Sequence, residues 1–315
     1  VLAATDKIKF IESVFGSGRL SARGENIAVS CPECKGIDKG KKKLSIRLDD
    51  DLNHCWVCGW SACNLLALLM KHANREDVET YRRTFLPYVN RKKDEGTIDV
   101  IPLIPRGFKS LYCHFDSNDP DVKAVIRYVM ARGLTKKDAA YFLLGVSDDY
   151  EYRRRVIMPS YDSEGRLNFV TTRAINDVVR PRYVNSKNSK SDVVFNELKI
   201  DWTQELVIVE GPFDLMKCPE NSTCLLGSEL NESHLLFSRL LEHNTPVVLC
   251  LDNDARKKMR SIAQKMMSYD LRVKVCQLPE GSDPGSLSKG QMLDVIRRAT
   301  PWSREASLID RIRSI

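Results

Sequence analysis

Three apolar, β-branched runs that each stop at carboxylates constrain this chain most. ELVIVEGPFD leads into Glu210 and Asp214, VVLCLDND into Asp252 and Asp254, and RVKVCQLPEGSDP into Asp283. Short apolar runs separated by helical patterns predict parallel strands of an α/β sheet. Ligands of such sheets bind beyond the carboxyl ends of the strands. Several acids gathered at that edge repel one another unless cations join them. Oxygen-rich acidic sites suit Mg²⁺ or Mn²⁺, which can hold phosphates and activate a hydroxyl.

The rest of the chain must serve that edge. Its 315 residues allow two or three domains, and 43% apolar content is enough to bury real cores. The net charge of +7 favours an anionic partner. Residues 121–200 carry 15 basic and 10 acidic side chains, whereas residues 201–300 carry 12 and 14. A basic block thus precedes an acidic one, as expected if the first grips polyphosphate and the second metal. No stretch approaches the roughly 20 apolar residues of a membrane span, and the start shows no signal-peptide pattern. Ten cysteines, four in a metal-like pattern and six scattered, fit a reducing, cytosolic compartment.

Those four are Cys31 and Cys34 in SCPECKG, and Cys55 and Cys58 in HCWVCGW. Each CxxC supplies two thiolates from one tight turn, and an intervening hairpin would bring the pairs together. That is a closed, structural, tetrahedral Zn²⁺ site of ribbon type. Residues 5–15 read as a short amphipathic helix and SACNLLALLMKHA as an amphipathic helix packed on the ribbon, followed by a polar helix at 74–86. Lys39, Lys41, Lys42, Lys43 and Arg47 lie near Trp56 and Trp60. Cations with aromatics suit single-stranded nucleic acid. Trp56 fits that use or the cover of the zinc core equally, and Trp60 fits the core better.

Charge and proline clusters place a linker or extended strap at 88–107. DPDVKAVIRYVMARGLTKKDAAYFLLGVS then predicts two helices joined at Gly133. RRRVIMPSYDSEGRLNFVTTRAI predicts a hairpin turning at DSEG, and RPRYVNSKNS a polar loop. Arg132, Arg153, Arg155, Arg173 and Arg182 are candidate phosphate ligands, because the guanidinium fork donates two parallel hydrogen bonds. Lys187, Lys190 and Lys199 are weaker candidates.

The zinc-ribbon cysteines, YVMARGLT, RRVIMPSYDSEGR, RPRYVNS, VEGPFD, LGSELNESH, LDNDA and LPEGSDP occur in that order. The set resembles the bacterial-type DNA primases over most of residues 25–290, and its carboxylate region resembles the TOPRIM fold. The absence of a long helicase-binding region after residue 300 looks more like a phage-encoded primase, placed in the host cytoplasm. No GxxxxGK[ST] loop marks a fused helicase. The resemblance implies a multi-domain α/β chain: zinc-binding domain 1–87, linker 88–107, basic α+β subdomain 108–200, TOPRIM subdomain 201–298 and tail 299–315.

The resemblance further implies synthesis of short RNA primers on single-stranded DNA from ribonucleoside triphosphates, by divalent-metal-assisted nucleotidyl transfer. Glu210, Asp252 and Asp254 are then catalytic, Glu210 as metal ligand or base. Glu210, Asp214, Asp252, Asp254 and Asp283 hold Mg²⁺ or Mn²⁺. Arg132, Arg153, Arg155, Arg173 and Arg182 match basic nucleotide- and template-binding positions. A lysine expected after YVNS is replaced by Asn196 and Glu197, with Lys199 as substitute. The zinc module would help read the template. The tail, with Leu308, Ile309, Ile312 and Ile315, suits docking on this protein or on a replicative helicase. Two other classes remain: a TOPRIM nuclease or strand-cleaving enzyme, and a non-catalytic single-stranded DNA-binding adaptor.

Overall fold

The structure is a computed structural model that describes residues 4–34, 41–86, 102–227, 229–252, 255–279, 281–303 and 305. Lys39, Asp254, most of the expected linker (88–101) and the tail from 306 onward lie outside the described residues. The described residues fall into two compact units. The first draws on Val1–Ile98, Leu230–Asn244 and Ser268–Leu271, and the second on Asp99–Glu229, Thr245–Met267 and Arg272–Ile315.

In the first unit, α1 (Ala4–Phe15) is followed by an antiparallel sheet in the order β1 (Arg19–Leu20), β2 (Asn26–Ser30), β3 (Lys42–Arg47), β4 (Asn53–Cys55) and β5 (Ser61–Ala62). The alternation of β2 and β3 sends Ile27, Val29, Leu44 and Ile46 inward, all fully buried. Helices α2 (Leu66–His72) and α3 (Arg75–Thr84) follow. Asn74 caps α3 by accepting the Asp77 N–H at 2.8 Å. Lys7 is 4% exposed and survives burial because it pairs with Asp51 at 2.7 Å, which also accepts the Tyr81 hydroxyl at 2.7 Å. A helix from later in the chain, α7 (Leu235–His243), belongs to the same unit. Asn64 donates to Glu242 Oε1 at 2.9 Å, and Arg82 to the Leu241 carbonyl at 2.9 Å.

The second unit holds two sheets over one continuous core. The antiparallel sheet runs β10 (Tyr183–Asn185), β9 (Leu167–Ala174), β8 (Arg155–Tyr161), β7 (Gly145–Ser147), β6 (Phe108–Ser110). Helices α4 (Pro120–Ala131) and α5 (Lys136–Tyr141) precede β7 and are joined through Gly133, whose φ of +77° suits glycine. Asp119 caps α4, and Thr135 with Asp138 forms a capping box for α5. The hairpin β8–β9 turns at Asp162–Gly165 as the sequence predicts. RPRYVNS is not wholly loop: Tyr183–Asn185 pairs with β9 as a half-buried edge strand.

The other sheet has the order β12 (Ser222–Cys224), β11 (Leu206–Val209), β13 (Val247–Leu249), β14 (Val273–Val275), β15 (Thr300–Pro301). β12, β11, β13 and β14 are parallel, and β15 is an antiparallel edge. The sequence predicts β11, β13 and β14 but not β12 or β15. Each β11 residue is at most 4% exposed, and burial of each stabilises by about 1.5–3 kcal/mol. Helices α6 (Pro212–Leu215), α8 (Arg256–Met267) and α9 (Lys289–Arg297) complete the unit. Val125, Val129 and Phe169 share a core with Val207, Val209, Phe213 and Val248, so the two sheets form one body. Asn196, at φ +64°, links them: its N–H donates to Ser160 Oγ at 2.9 Å and its amide to the Ser222 carbonyl at 3.1 Å.

Candidate functional site

β2 and β4 flank β3 antiparallel to it, so the segments after β2 and β4 emerge at one end of the sheet. Cys31 and Cys34 follow β2 around a 3₁₀ turn, and Cys55 closes β4, with Cys58 in the next turn. The four Sγ atoms lie within 4.8 Å of one another. Cys31 and Cys58 are 3.8 Å apart, and Cys34 and Cys55 3.5 Å. Tetrahedral Zn–S bonds of about 2.3 Å require S···S separations of about 3.8 Å. The thiol set therefore fits a closed structural zinc site with no open position. Trp60 is half-buried with its indole nitrogen enclosed, while Trp56 is 73% exposed, its ring edge-on to His54 at 4.7 Å. Of the two readings for Trp56, the structure excludes core cover.

In the second unit, one cleft of about 1010 Å³ opens at the carboxyl edge of the parallel strands. Glu210 directly follows β11, Asp214 sits in the first turn of α6, Asp252 follows β13, and Asp283 lies on the loop after β14. All four line this cleft with Arg132, Arg173 and Arg182. Asp214 accepts the Gly211 N–H at 3.2 Å. Its burial, with repulsion from Asp252 and Asp283, lifts its pKa to about 6. Carboxylates that resist ionising together are the condition a hard divalent cation relieves, and the all-oxygen donor set fits Mg²⁺ or Mn²⁺.

The basic wall is held by aromatics. Arg132 stacks over Tyr128 and Phe213 at 5.2 and 5.0 Å, and Arg173 over Tyr183 at 4.9 Å. Arg173 Nε donates to the Tyr128 hydroxyl at 3.0 Å and Nη1 to the Tyr183 hydroxyl. Burial opposes the Arg173 charge, but the phenols outweigh it and hold its pKa above the usual value.

Three expected basic ligands lie elsewhere. Arg153 is exposed and engages Asp121. Arg155 opens β8 and is 2% exposed, its Nε donating to the Glu151 carbonyl at 3.3 Å. Lys199 donates to the Tyr141 carbonyl and lies 3.5 Å from the Tyr141 ring centroid, where burial lowers its pKa to about 8. The turn at Asn196 aims that lysine away from the cleft, so it does not substitute for the missing lysine there. Lys190, a weaker candidate, does line the cleft and donates to the Leu226 carbonyl at 2.9 Å. Sequence reasoning missed Lys217, Gly285, Thr171, Asn185 and Gln291, which also line it. For Lys217 a signal existed: it lies three residues beyond Asp214, on the same side of a helical turn.

Comparison with known proteins bears on the fold. No family model matches the chain. The chain is similar to the DNA primase of Pseudomonas aeruginosa, 23% identical over a 359-residue alignment covering 93% of this chain and 52% of that protein. It is also similar to that of Legionella pneumophila, 22% identical over 96% of this chain and 61% of that one. The chain spans about half to three-fifths of the length of these relatives. Among solved structures, the DnaG catalytic core superposes with a TM-score of 0.51 at 19% identity, over 65% of this chain and 84% of that one. The Escherichia coli primase catalytic core gives 0.50 at 20% identity, over 64% and 79%. These likenesses define the fold of the second unit's class, a mixed parallel sheet packed with an antiparallel one. More narrowly, it is the fold of the DnaG catalytic core.

Proposed function

We propose that the chain is a DNA primase, a DNA-directed RNA polymerase making short RNA primers on single-stranded DNA from ribonucleoside triphosphates. The observation that carries this reading is the meeting of Glu210, Asp214, Asp252 and Asp283 with Arg132, Arg173 and Arg182 in one cleft of a DnaG-type fold. The relatives named DNA primase, and a DnaG catalytic domain solved with single-stranded DNA at a TM-score of 0.50, support it.

In this mechanism Glu210, Asp214, Asp252 and Asp283, with Asp254, would hold Mg²⁺ or Mn²⁺. The chemistry a bound ion would supply there is a lowered pKa of the primer 3′-hydroxyl and neutralisation of charge building on the α-phosphate. Arg132 and Arg173, fixed by their aromatic partners, present guanidinium forks to the triphosphate at little entropic cost. Arg182, at the exposed rim, suits the template backbone. Glu210 serves as ion ligand or as base toward the 3′-hydroxyl. The division of labour follows the motif boundaries: 1–87 binds zinc and helps read the template through its exposed Trp56, 108–200 grips nucleotide and template, and 201–298 carries the acids. No described helix is long and apolar enough to cross a membrane, and we place the reaction in the cytoplasm.

The test is incorporation of labelled ribonucleotide on single-stranded DNA. Asp252→Asn should abolish dinucleotide formation while leaving the melting temperature near that of the parent. Synthesis retained in Asp252→Asn would remove this cleft from the reaction. DNA nicking without a need for nucleoside triphosphates would instead support strand cleavage.

A further inference from the structure

We propose that Lys217 is a positioning residue that clamps the Asp283 loop into the ion-binding cleft, an inference that rests on the cleft holding a divalent ion. Lys217 is 6% exposed. A lysine is seldom buried so far without a specific partner. Its partners are two main-chain oxygens of one loop: Nζ donates to the Gly285 carbonyl at 2.5 Å and the Leu287 carbonyl at 2.7 Å. Both follow Asp283 within four residues. Burial and the nearby Arg132 push the Lys217 pKa down, against the pull of Asp214 and Asp283. The ammonium is thus held in a place that is not comfortable for its charge, by the loop it organises.

The loop has little freedom left. Ser286 N–H donates to Asp283 Oδ1 at 2.6 Å, and Ser286 Oγ donates to the Asp283 carbonyl at 2.7 Å. A methyl on Gly285 would lie 3.1 Å from Asp214 Oδ1 and 3.2 Å from Asp283 Oδ1. The main chain at Gly285 therefore threads between two carboxylates of the cleft. Lys217 fixes that passage from α6's side, and Ser288 with Gln291 fixes its far end by the capping box of α9. Because Lys217 lies three residues after Asp214, one turn of chain carries both an acid and the anchor that brings the second acid to it.

Two roles for the lysine predict opposite signs. A lysine acting only through its charge would repel a divalent ion, so its loss would tighten ion binding. A lysine acting as a clamp would, when lost, release Asp283 and weaken ion binding. The test uses the zinc-loaded full chain and titrates Mn²⁺, following free Mn²⁺ by electron paramagnetic resonance without nucleotide. Lys217→Met should raise the Mn²⁺ dissociation constant by about ten-fold or more, in the range expected for residues that orient ligands. Lys217→Gln, which keeps an N–H donor, should give a smaller rise in the same direction and covers the case that the methionine variant does not fold. Unchanged or tighter Mn²⁺ binding in both folded variants would overturn the clamp. If the parent itself bound no Mn²⁺, the ion-binding reading of the cleft would fall, an outcome separate from the first.

Discussion

The thiolate centre and the carboxylate cleft are both built from two-sided chain returns, yet they solve different problems. Four sulfurs lie within 4.8 Å of one another, each supplied from a tight turn at one end of one sheet. The acids come from three distant segments and line a cleft of about 1010 Å³ that they share with arginines. The first arrangement closes a coordination shell and leaves no room for substrate. The second leaves room for substrate, so its carboxylates must be kept near one another against their repulsion. The difference teaches that a closed thiol cluster is set by local turns, whereas an open acidic edge is set by the fold around it.

The sharpest way to break this contrast is to remove zinc. Structural zinc contributes about 10–16 kcal/mol of apparent binding free energy in small domains. Chelation, or Cys34→Ser, should abolish hydrogen-exchange protection of β2–β4 while β11 and β13 keep theirs. Equal loss of protection in both regions would show that zinc supports the whole chain and not one unit.

A smaller effect separates the cleft. The Asp214 pKa is raised to about 6, above the value of an unfolded aspartate. Between about pH 4 and pH 6 the folded state then holds the extra proton, so stability falls as pH rises through that window. Above it the ionised carboxylate leaves a penalty of at most about 3 kcal/mol. Chemical denaturation of ion-free protein should show this decline, and Asp214→Asn should flatten it. Saturating Mg²⁺ should restore stability above pH 6. A parent and Asp214→Asn protein with the same pH slope would contradict the crowding of charge at this edge.

Much of both regions is legible in the sequence because the signals are local. CxxC pairs specify turns that present two sulfurs, and an apolar run ending in an acid specifies a strand with a carboxylate at its end. Caps such as Asn74, Asp119 and the Thr135–Asp138 box also act within four residues. What is not legible depends on partners far along the chain. The apolar stripe of α7 marks one buried face without naming what covers it, and here it joins the unit that carries the four clustered cysteines. The edge strands β10, β12 and β15 are only two or three residues long, too short for periodicity to show. Lys199 and Lys217 look alike in sequence, each beside apolar residues. The left-handed turn at Asn196 sends one to Tyr141, and the turn after Asp214 sends the other to the acidic loop. Side-chain direction, not residue type, separates them.

Nucleic-acid contact gives the next effect in size. Trp56 is 73% exposed beside Lys43, whose carbonyl accepts the Trp56 N–H at 3.1 Å. One base stacked on an aromatic is worth about 1–3 kcal/mol. Trp56→Ala should weaken single-stranded DNA binding by that amount in a fluorescence anisotropy titration, with zinc content and melting unchanged. Trp60→Ala should instead destabilise the ribbon.

The smallest expected effect distinguishes arginines inside the cleft from those outside. Arg153 and Arg182 are both exposed, and sequence treats them alike. Arg182 lines the acidic cleft, whereas Arg153 engages Asp121 away from it. An exposed ion pair of that kind contributes little, because water and salt screen it. Arg153→Ala should therefore leave kcat/KM for primer synthesis within about two-fold, in line with ordinary surface substitutions. Arg182→Ala should lower it more, and the loss should shrink as salt is raised, since a phosphate contact releases counterions when it forms. If Arg153→Ala proved the more damaging, the grip on the template would extend along the outer face of α4, and the cleft would no longer mark the limit of the basic surface.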